Sequence, residues 1–444
     1  MRGACGRLFG FFLAKPWRAW YNKRKKEGRP MKKFLALLCA LALLCLPAAA
    51  VPAAGAPAVS ARAALLISLD TGQVFLEKES EAEVPVAFTA KLMTALLAWE
   101  SLGRSARVSV KSGFRDDVEN LSAMQFAQGE SFTVEELCCL VLIQGADEAA
   151  NILAEGVCDR PTFVERMNAR AAELGMEHTR FRNPHGLYDP EAHTTARDAA
   201  RLLFAFSQVP ELLELSDATF TTLPATEKSE ARVLYSSNLL LNAGSELCSS
   251  RADGGKNFSD SRSGSCLGTT FVTSGRRLCY AAFGEADDET LYRSAKAAID
   301  WVVASYSIVT VCRAGDPCDS TALTLCRRTD QMIAVSGETV SRFLPDDADL
   351  SLIRVETDLP DSLAAPIEEG EQLGTGRVYY GSELLCEIPV LAGASASRDL
   401  GLAVGDGLSA ILGHPATAIF FALFFLVLAI LILRALRIHR RRKK

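Results

Sequence analysis

The sequence predicts an α+β protein in which a domain of mixed strands and helices precedes a small all-β domain and one C-terminal transmembrane helix. The first part combines a hairpin pattern with a capped apolar helix, the second carries short alternating runs, and the third is an uncharged apolar stretch. The expected segments are a basic leader with a signal peptide (1–50), the mixed domain (58–305), the β-rich domain (306–392), a tether (393–415), the transmembrane helix (416–433) and a basic tail (434–444).

Two patterns give the first domain its mixed character. Residues 63–78 hold two apolar runs on either side of Asp70-Thr-Gly72, which predicts a β-hairpin. Thr133-Val-Glu-Glu136 is a capping box directly before the apolar run 137–143, which predicts a helix start. Beyond residue 306 the runs shorten and alternate between turns rich in Gly and Asp, as in Leu352-Ile-Arg-Val-Glu356, which favours an all-β domain.

Both ends of the chain indicate an exported protein held at a membrane. Met31-Lys-Lys is followed by an apolar run and by Ala48-Ala-Ala50, the pattern of a cleavable signal peptide. Residues 416–433 are long enough to span the hydrocarbon core as a helix. The Arg and Lys residues of 434–444 orient that helix with the C-terminus in the cytoplasm. We therefore expect a single-pass protein of the cell membrane with an extracytoplasmic body.

Charge and cysteine spacing exclude several classes of function. The net charge is -5, yet both termini are strongly basic, so the body between them carries a large excess of acid. Such a body has no electrostatic footprint for nucleic acid. The 13 cysteines include no C-x-x-C pair and no histidine spacing typical of zinc, so we expect neither a metal nor an organic cofactor. The spacing leaves the disulfide state open.

Three ordered motifs suggest a family. They are Val84-Pro-Val-Ala-Phe-Thr-Ala-Lys-Leu-Met-Thr-Ala95, Asn183-Pro-His-Gly-Leu187 and Thr194-Thr-Ala-Arg-Asp198. Over about residues 60–395 the chain resembles the penicillin-binding-protein type of D-alanyl-D-alanine carboxypeptidase, a family of serine peptidases. The resemblance implies a β-lactamase/transpeptidase-like first domain, an antiparallel sheet with a helical cluster, followed by a small β-domain.

The resemblance also places the family's catalytic motifs on this chain. The family uses Ser-x-x-Lys as nucleophile and base, Ser-x-Asn as proton relay, and Lys-Thr-Gly on an edge strand to bind the substrate carboxylate. This chain departs from all three motifs. The matching positions are Phe88 (nucleophile), Lys91 (base), Gly145 and Asp147 (relay), and Lys256, Asn257 and Phe258 (binding strand).

The departures remove the covalent chemistry of the first motif. A benzyl group has neither a proton to lose nor a lone pair with which to attack, so Phe88 cannot be a nucleophile. Lys256 and Phe258 share a strand face, and we expect Phe88 and Phe258 to fill the cleft together as an apolar plug. Among possible substitutes, Thr89 faces away from Lys91 on the helix, and Ser122 lacks a supporting pattern, as does Ser236.

Two polar residues need a role in such a cleft. We expect Asp147 to pair with Lys91 or Lys256, because a lysine in a partly dry cleft needs a partner. His185 could be a general base, but Asn-Pro-His-Gly is typical of a turn, which favours a structural role.

Three functions remain open. The leading interpretation is a membrane-anchored, catalytically impaired cell-wall protein, a pseudoenzyme that binds peptidoglycan stem peptides or wall enzymes. The second is an active serine-type carboxypeptidase that trims stem peptides with a non-standard nucleophile. The third is a scaffold in which only the outer surface and the β-domain matter. Labelling by a fluorescent penicillin separates the first two, because acylation requires an activated nucleophile.

Overall fold

The computed structural model describes residues 55–118, 122, 124–399, 401–402, 423 and 426–432. These residues form two compact units. The first comprises the described residues up to Ile308 together with Phe343–Ala348, and the second comprises Val309–Arg342 and the described residues from Asp349 onward. The return of Phe343–Ala348 to the first unit is a feature that the predicted segments did not contain.

The first unit is built from strands and helices in mixed order. Its helices are α1 (Phe88–Leu102), α2 (Val134–Cys139), α3 (Asp147–Val157), α4 (Arg160–Glu173), α5 (Ala196–Ser207), α6 (Pro210–Asp217) and α7 (Asp288–Ser305). Its strands are β1 (Ala63–Ser68), β2 (Val74–Lys78), β3 (Arg107–Ser109), β4 (Ser131–Thr133), β5 (Phe220–Leu223), β6 (Arg232–Tyr235), β7 (Ala252–Asp260), β8 (Gly264–Thr273) and β9 (Arg276–Glu285).

A five-stranded antiparallel sheet organises this unit, with strand order β2-β1-β9-β8-β7. Both faces of β1 are buried, and alternate residues enter different cores: Leu65 and Ile67 pack with α1 and α5, whereas Leu66 packs with α7. Helices therefore cover both faces of the sheet. The strand β7 lies at one edge, where it borders the helical cluster.

Local signals in the sequence explain two of these elements. The predicted hairpin is confirmed, because β1 and β2 pair antiparallel with Leu66 opposite Leu76. The predicted capping box is also confirmed: Thr133 Oγ1 accepts from the Glu136 backbone N–H, and the Glu136 carboxylate accepts from the Thr133 N–H. The helix that it starts continues as a wider π-helical turn over Leu140–Gln144 and ends at Gly145.

The second unit is rich in strands. A six-stranded sheet has the order β14-β16-β17-β12-β11-β15, in which only β11 and β15 are parallel among the pairs described. Its strands are β11 (Pro317–Thr324), β12 (Gln331–Ser336), β14 (Ile353–Asp358), β15 (Ser362–Ala364), β16 (Gln372–Tyr380) and β17 (Glu383–Ala392). Two further strands pair with each other, β10 (Tyr306–Cys312) and β13 (Val340–Pro345), and each has residues in both units. The α+β class is confirmed.

Several predicted segments fall outside the part of the chain that the structure describes. The leader and signal peptide (1–50) and the basic tail (434–444) lie wholly outside it, and most of the tether and of the segment 416–433 does as well. Among the residues that are described, no helix has the length and apolar character needed to cross a bilayer. The ten cysteines after the leader are all described, and all are free thiols.

Candidate functional site

A cleft of about 780 Å³ opens in the first unit between the helical cluster and the edge strand β7. Helix α1, the α2–α3 connection and the loop around residue 185 line one side of it, and β7 lines the other. The predicted site residues in its wall are Lys91, Gly145, Asp147, Lys256, Asn257 and Phe258. The structure therefore brings together six of the seven positions taken from the three motifs.

Phe88 is the exception, and the prediction that it projects into the cleft is wrong. Its side chain is fully buried in the core, where it stacks on Phe283 with 5.0 Å between ring centroids. The ring lies over Gly268 of β8, where even a Cβ atom would come within 2.2 Å of it. Phe88 thus fills space that the missing side chain of Gly268 leaves free. The expected plug of two aromatic rings does not form.

The conformation of Ala87 sets the start of α1. Its φ of 44° and ψ of -124° are unfavourable for a residue with a side chain. Strain of this kind at a helix start persists only where the surrounding structure enforces it. Here the enforcement includes the burial of Val86, Ala87 and Phe88 in one core. Helical periodicity does not predict this turn at Ala87, and the direction of the Phe88 side chain depends on it.

Of the two partners predicted for Asp147, Lys91 and Lys256, the structure pairs it with Lys91. The Nζ atom of Lys91 donates to Asp147 Oδ1 at 2.5 Å and to the backbone oxygen of His185 at 2.6 Å. Both side chains are largely buried, with exposed fractions of 3% and 14%. The ring of Phe258 lies 4.7 Å from the same ammonium, at cation–π distance. These contacts hold the Lys91 side chain in place and occupy it.

Lys256 has a different environment. Within the described residues its Nζ donates to two neutral oxygens, Asn257 Oδ1 at 2.9 Å and Ser237 Oγ at 3.3 Å, and to no carboxylate. Burial, and then the neighbouring charge of Lys91, lower its pKa to about 7 against the opposite effect of Asp147. A Cβ atom on Gly145 would lie 3.3 Å from this Nζ. The absence of a side chain at 145 therefore makes room for the lysine.

The strand β7 presents these groups at the cleft. Lys256 and Phe258 both line it, as strand alternation predicts, and both are buried. Phe258 extends towards Lys91 rather than filling the cleft. Asn257 accepts from the Ser237 hydroxyl at 2.7 Å and so orients it. Because β7 is an edge strand, it can also offer backbone groups to an extended ligand.

The loop around His185 has the structural character that its sequence indicates. Asn183 Oδ1 accepts from the Gly186 N–H at 2.7 Å, and its amide donates to the Leu187 oxygen at 2.9 Å. Burial lowers the pKa of His185 to about 3, and the Lys91 charge acts in the same direction. A ring that resists protonation so strongly is a poor general base near neutral pH. Its Nε2 atom is buried without a partner among the described residues.

The hydroxyl groups considered as substitutes for the nucleophile differ in whether they line the cleft. The Thr89 side chain is buried and donates to the Val86 oxygen, whereas that of Ser122 donates to Glu148. Neither lines the cleft, and Ser236 lines a separate small pocket. Ser237 was missed by the sequence analysis: its exposed hydroxyl lies in the cleft beside Lys256. Its local sequence does not predict a place in the site, because the residues that it contacts there, Lys256 and Asn257, belong to the distant strand β7.

Comparison with known proteins identifies the family. The profile of the family described as D-alanyl-D-alanine carboxypeptidase matches residues 50–286. The chain is 24% identical to D-alanyl-D-alanine carboxypeptidase DacF of Bacillus subtilis over 338 residues, which cover 75% of this chain and 85% of that protein. It is 26% identical to D-alanyl-D-alanine carboxypeptidase DacC of Escherichia coli, with 71% and 79% covered.

Solved structures show the same fold. The D-alanyl-D-alanine carboxypeptidase DacD from Francisella tularensis superposes with a TM-score of 0.64 at 18% identity, covering 80% of this chain and 98% of that one. Penicillin binding protein 5 from Haemophilus influenzae gives a TM-score of 0.63 at 19% identity, with 77% and 99% covered.

Proposed function

The chain belongs to the D-alanyl-D-alanine carboxypeptidase family, and we propose that it binds peptidoglycan stem peptides without forming an acyl-enzyme at position 88. The observation that best supports this proposal is that Phe88 is buried in the core, whereas Lys91, Asp147 and Lys256 line an open cleft. The family's nucleophile position supplies no attacking atom, yet the groups around it still form a polar site. Such a site is suited to recognition rather than to acyl transfer.

Lys256 is the group that we expect to bind the peptide. A buried ammonium with only neutral acceptors is costly, and a carboxylate ligand would supply the missing counter-charge. The free edge of β7 can pair with the backbone of an extended peptide next to it. Together these features favour the C-terminal carboxylate of a stem peptide as the ligand. They also explain why Lys256 is held in place although the covalent step is lost.

The proposed location follows from the ends of the sequence. We propose that the body is exported and that residues 416–433 anchor it in the membrane, with 434–444 in the cytoplasm. This arrangement would hold the cleft near the cell wall. Wall enzymes that act on the same stem peptides would share this compartment. The chain would affect their activity, because a peptide bound in the cleft is not available to them.

A binding experiment on the full chain tests the proposal. A peptide that ends in D-alanyl-D-alanine should bind saturably in isothermal calorimetry, and its C-terminal amide should bind at least tenfold more weakly. Lys256→Met should weaken binding of the free acid by a similar factor, about 1.4 kcal/mol or more, because it removes the charge partner. Lys296→Met is the matched control, since Lys296 pairs with Asp300 on α7 and does not line the cleft.

The same protein should stay unmodified when it is incubated with a fluorescent penicillin. No band on a gel and no mass increase are expected, because Phe88 provides no nucleophile. Equal binding of the acid and the amide, or binding that Lys256→Met leaves unchanged, would contradict the proposed site. Absence of peptide binding by the folded chain would favour the scaffold interpretation instead.

A second candidate function rests on one further contact. The Ser237 Oγ atom lies 3.3 Å from Lys256 Nζ, within reach of a serine–lysine pair, and is exposed to the cleft. With a pKa of about 7, Lys256 is partly neutral near pH 7. The neutral amine can accept the hydroxyl proton once the hydroxyl turns from Asn257 Oδ1 towards it. This would be the serine-type carboxypeptidase with a non-standard nucleophile.

The penicillin experiment also decides this candidate. Acylation would add the mass of the penicillin to a peptide that contains Ser237, and Ser237→Ala would abolish the label. The label would increase as the pH rises through about 7, because the neutral amine is the base. Carboxylate binding by the protonated amine would decrease over the same range. The two functions of Lys256 therefore have opposite pH dependences.

A further inference from the structure

The hairpin formed by β5 and β6 exposes an apolar face away from the core. Phe220 lies opposite Tyr235 across the hairpin, and Thr222 lies opposite Val233. These four side chains share one face, while Leu223 and Leu234 on the other face are buried. Phe220 is 61% exposed and Tyr235 is 68% exposed. We call Phe220, Thr222, Val233 and Tyr235 the aromatic face.

The hairpin is held firmly at both ends, so this face is presented in a defined position. Near the hairpin loop, the buried Glu130 carboxylate accepts from Arg232 at 2.9 Å and from the Thr226 hydroxyl at 2.6 Å. At the other end, the Ser236 N–H donates to the Thr219 oxygen at 2.8 Å within the hairpin, and the Ser237 N–H donates to the Ile143 oxygen of the π-helical turn at 3.4 Å. A patch of large apolar side chains on a rigid support is typical of a binding surface.

A small pocket of about 290 Å³ adjoins the two rings. It is lined by six uncharged residues, Thr219, Phe220, Tyr235, Ser236, Asn242 and Ala243. Two aromatic rings 6.5 Å apart at the centroids supply flat apolar surfaces, and hydroxyl and amide groups beside them supply hydrogen bonds. A neutral ligand with apolar faces and many hydroxyl groups fits this combination.

We propose that the aromatic face and its pocket bind a saccharide, the glycan strand of peptidoglycan. A hexosamine ring has flat C–H faces to stack on Phe220 and Tyr235, and neutral hydroxyl and acetamido groups to contact Ser236 and Asn242. A pocket of about 290 Å³ is of the size that holds a small ligand, which favours a single ring over a folded partner. The uncharged lining also disfavours a charged peptide.

The position of the pocket connects this proposal with the proposed function, on which it rests. Ser236 lines the saccharide pocket, and the next residue, Ser237, lines the cleft. Adjacent Cα atoms are about 3.8 Å apart, so the two sites meet at one short segment of backbone. In peptidoglycan the stem peptide is attached to the glycan, and one ligand could therefore occupy both sites. The glycan site would raise affinity for wall-bound peptides over free ones.

Two soluble probes test the saccharide site on the full chain. Chitotetraose, and glycan strands whose lactyl carboxyl groups carry a simple amide in place of the stem peptide, should both bind saturably by calorimetry. Tyr235→Ala and Phe220→Ala should each weaken this binding about tenfold, because each removes one stacking ring. Val272→Ala is the matched control, since Val272 is an exposed apolar residue on β8 outside the hairpin, and it should leave binding unchanged. Unchanged melting temperatures would show that the variants are folded.

The outcomes separate this site from the peptide site. Tyr235→Ala should leave binding of the free D-alanyl-D-alanine peptide unchanged, and Lys256→Met should leave binding of chitotetraose unchanged. Failure of the wild-type chain to bind either glycan probe would overturn the saccharide proposal without affecting the peptide proposal. Glycan binding that both ring variants leave intact would also overturn it. Self-association of the wild-type chain that Tyr235→Ala abolishes, without glycan binding, would assign the face to a protein partner.

Discussion

The Lys91 ammonium and the Asp147 carboxylate form a buried ion pair, with 2.5 Å between Nζ and Oδ1. In the family motifs, an asparagine occupies the position of Asp147, and the lysine acts as the base for the nucleophilic serine. Here the lysine one turn into α1 has a carboxylate as its partner, and the backbone oxygen of His185 accepts from it as well. The pair ties α1, α3 and the loop of residue 185 together.

Removal of the carboxylate should destabilise the first unit. Asp147→Asn leaves the buried Lys91 ammonium without its counter-charge, so we expect the free energy of unfolding to fall by about 3–5 kcal/mol. Urea denaturation of the full chain measures this change. Asp300→Asn is the control, because the exposed Lys296–Asp300 pair should contribute at most about 1 kcal/mol. Equal losses in both variants would show that the buried pair contributes no more to the free energy of unfolding than the exposed pair.

A serine placed at position 88 should not become a site of acylation. Phe88→Ser removes a fully buried ring and puts a hydroxyl group against Phe283 and Gly268, so we expect a loss of about 3–5 kcal/mol and no penicillin label. Thermal unfolding and fluorescent labelling give the two readouts. Phe220→Ser, at an exposed site, should change stability by about 0.5 kcal/mol or less. A labelled and stable Phe88→Ser variant would contradict the core position of the ring.

Replacement of Lys256 should stabilise the protein in a pH-dependent way. The folded pKa of about 7 lies below the ordinary value of 10.5, so below pH 7 both states are protonated and the full cost of burying the charge applies. Between about 7 and 10.5 this cost shrinks. Lys256→Met should therefore raise stability by about 1–4 kcal/mol near pH 6 and by less near pH 9. Unfolding curves at the two pH values measure it, and a pH-independent gain would contradict the buried cation.

His185 should make stability fall in mild acid. Its folded pKa of about 3 lies below the ordinary 6.5, so the unfolded chain takes up a proton first as the pH falls from about 6.5 towards 3. This group alone contributes a slope of up to about 1.4 kcal/mol per pH unit. His185→Asn should flatten the dependence measured by urea denaturation between about pH 4 and 6.5. A slope that His185→Asn leaves unchanged would contradict the burial of a neutral imidazole at this position.

Local patterns predicted the parts of the fold whose causes are local. The β1–β2 hairpin follows from a turn between apolar runs, and the start of α2 follows from the capping box. That Asp147 pairs with a lysine was also predictable, because a carboxylate stands where the family has a neutral amide, but the sequence left Lys91 and Lys256 as equal candidates and the structure shows Lys91. In each case a few neighbouring residues, or one requirement for charge compensation, carried the information.

The features that were missed depend on contacts between distant segments. The direction of the Phe88 ring is set by the unusual backbone of Ala87 and by the space over Gly268, which is 180 residues away. Ser237 enters the cleft because β7 brings Lys256 and Asn257 to it. The strand β5 alternates like any half-buried strand, so its sequence does not show which of its two faces is buried. Only the structure shows that Leu223 faces the core and Phe220 faces outward.

The contact of Phe88 with Gly268 restricts which side chains positions 88 and 268 can carry together. A serine at 88 alone would leave a void and a hydroxyl group without a partner in the core. A larger residue at 268 alone would not fit, because the ring already occupies its place. Each single change is penalised, so the side chains at 88 and 268 are coupled through the volume that they share, and we expect them to be replaceable only as a pair.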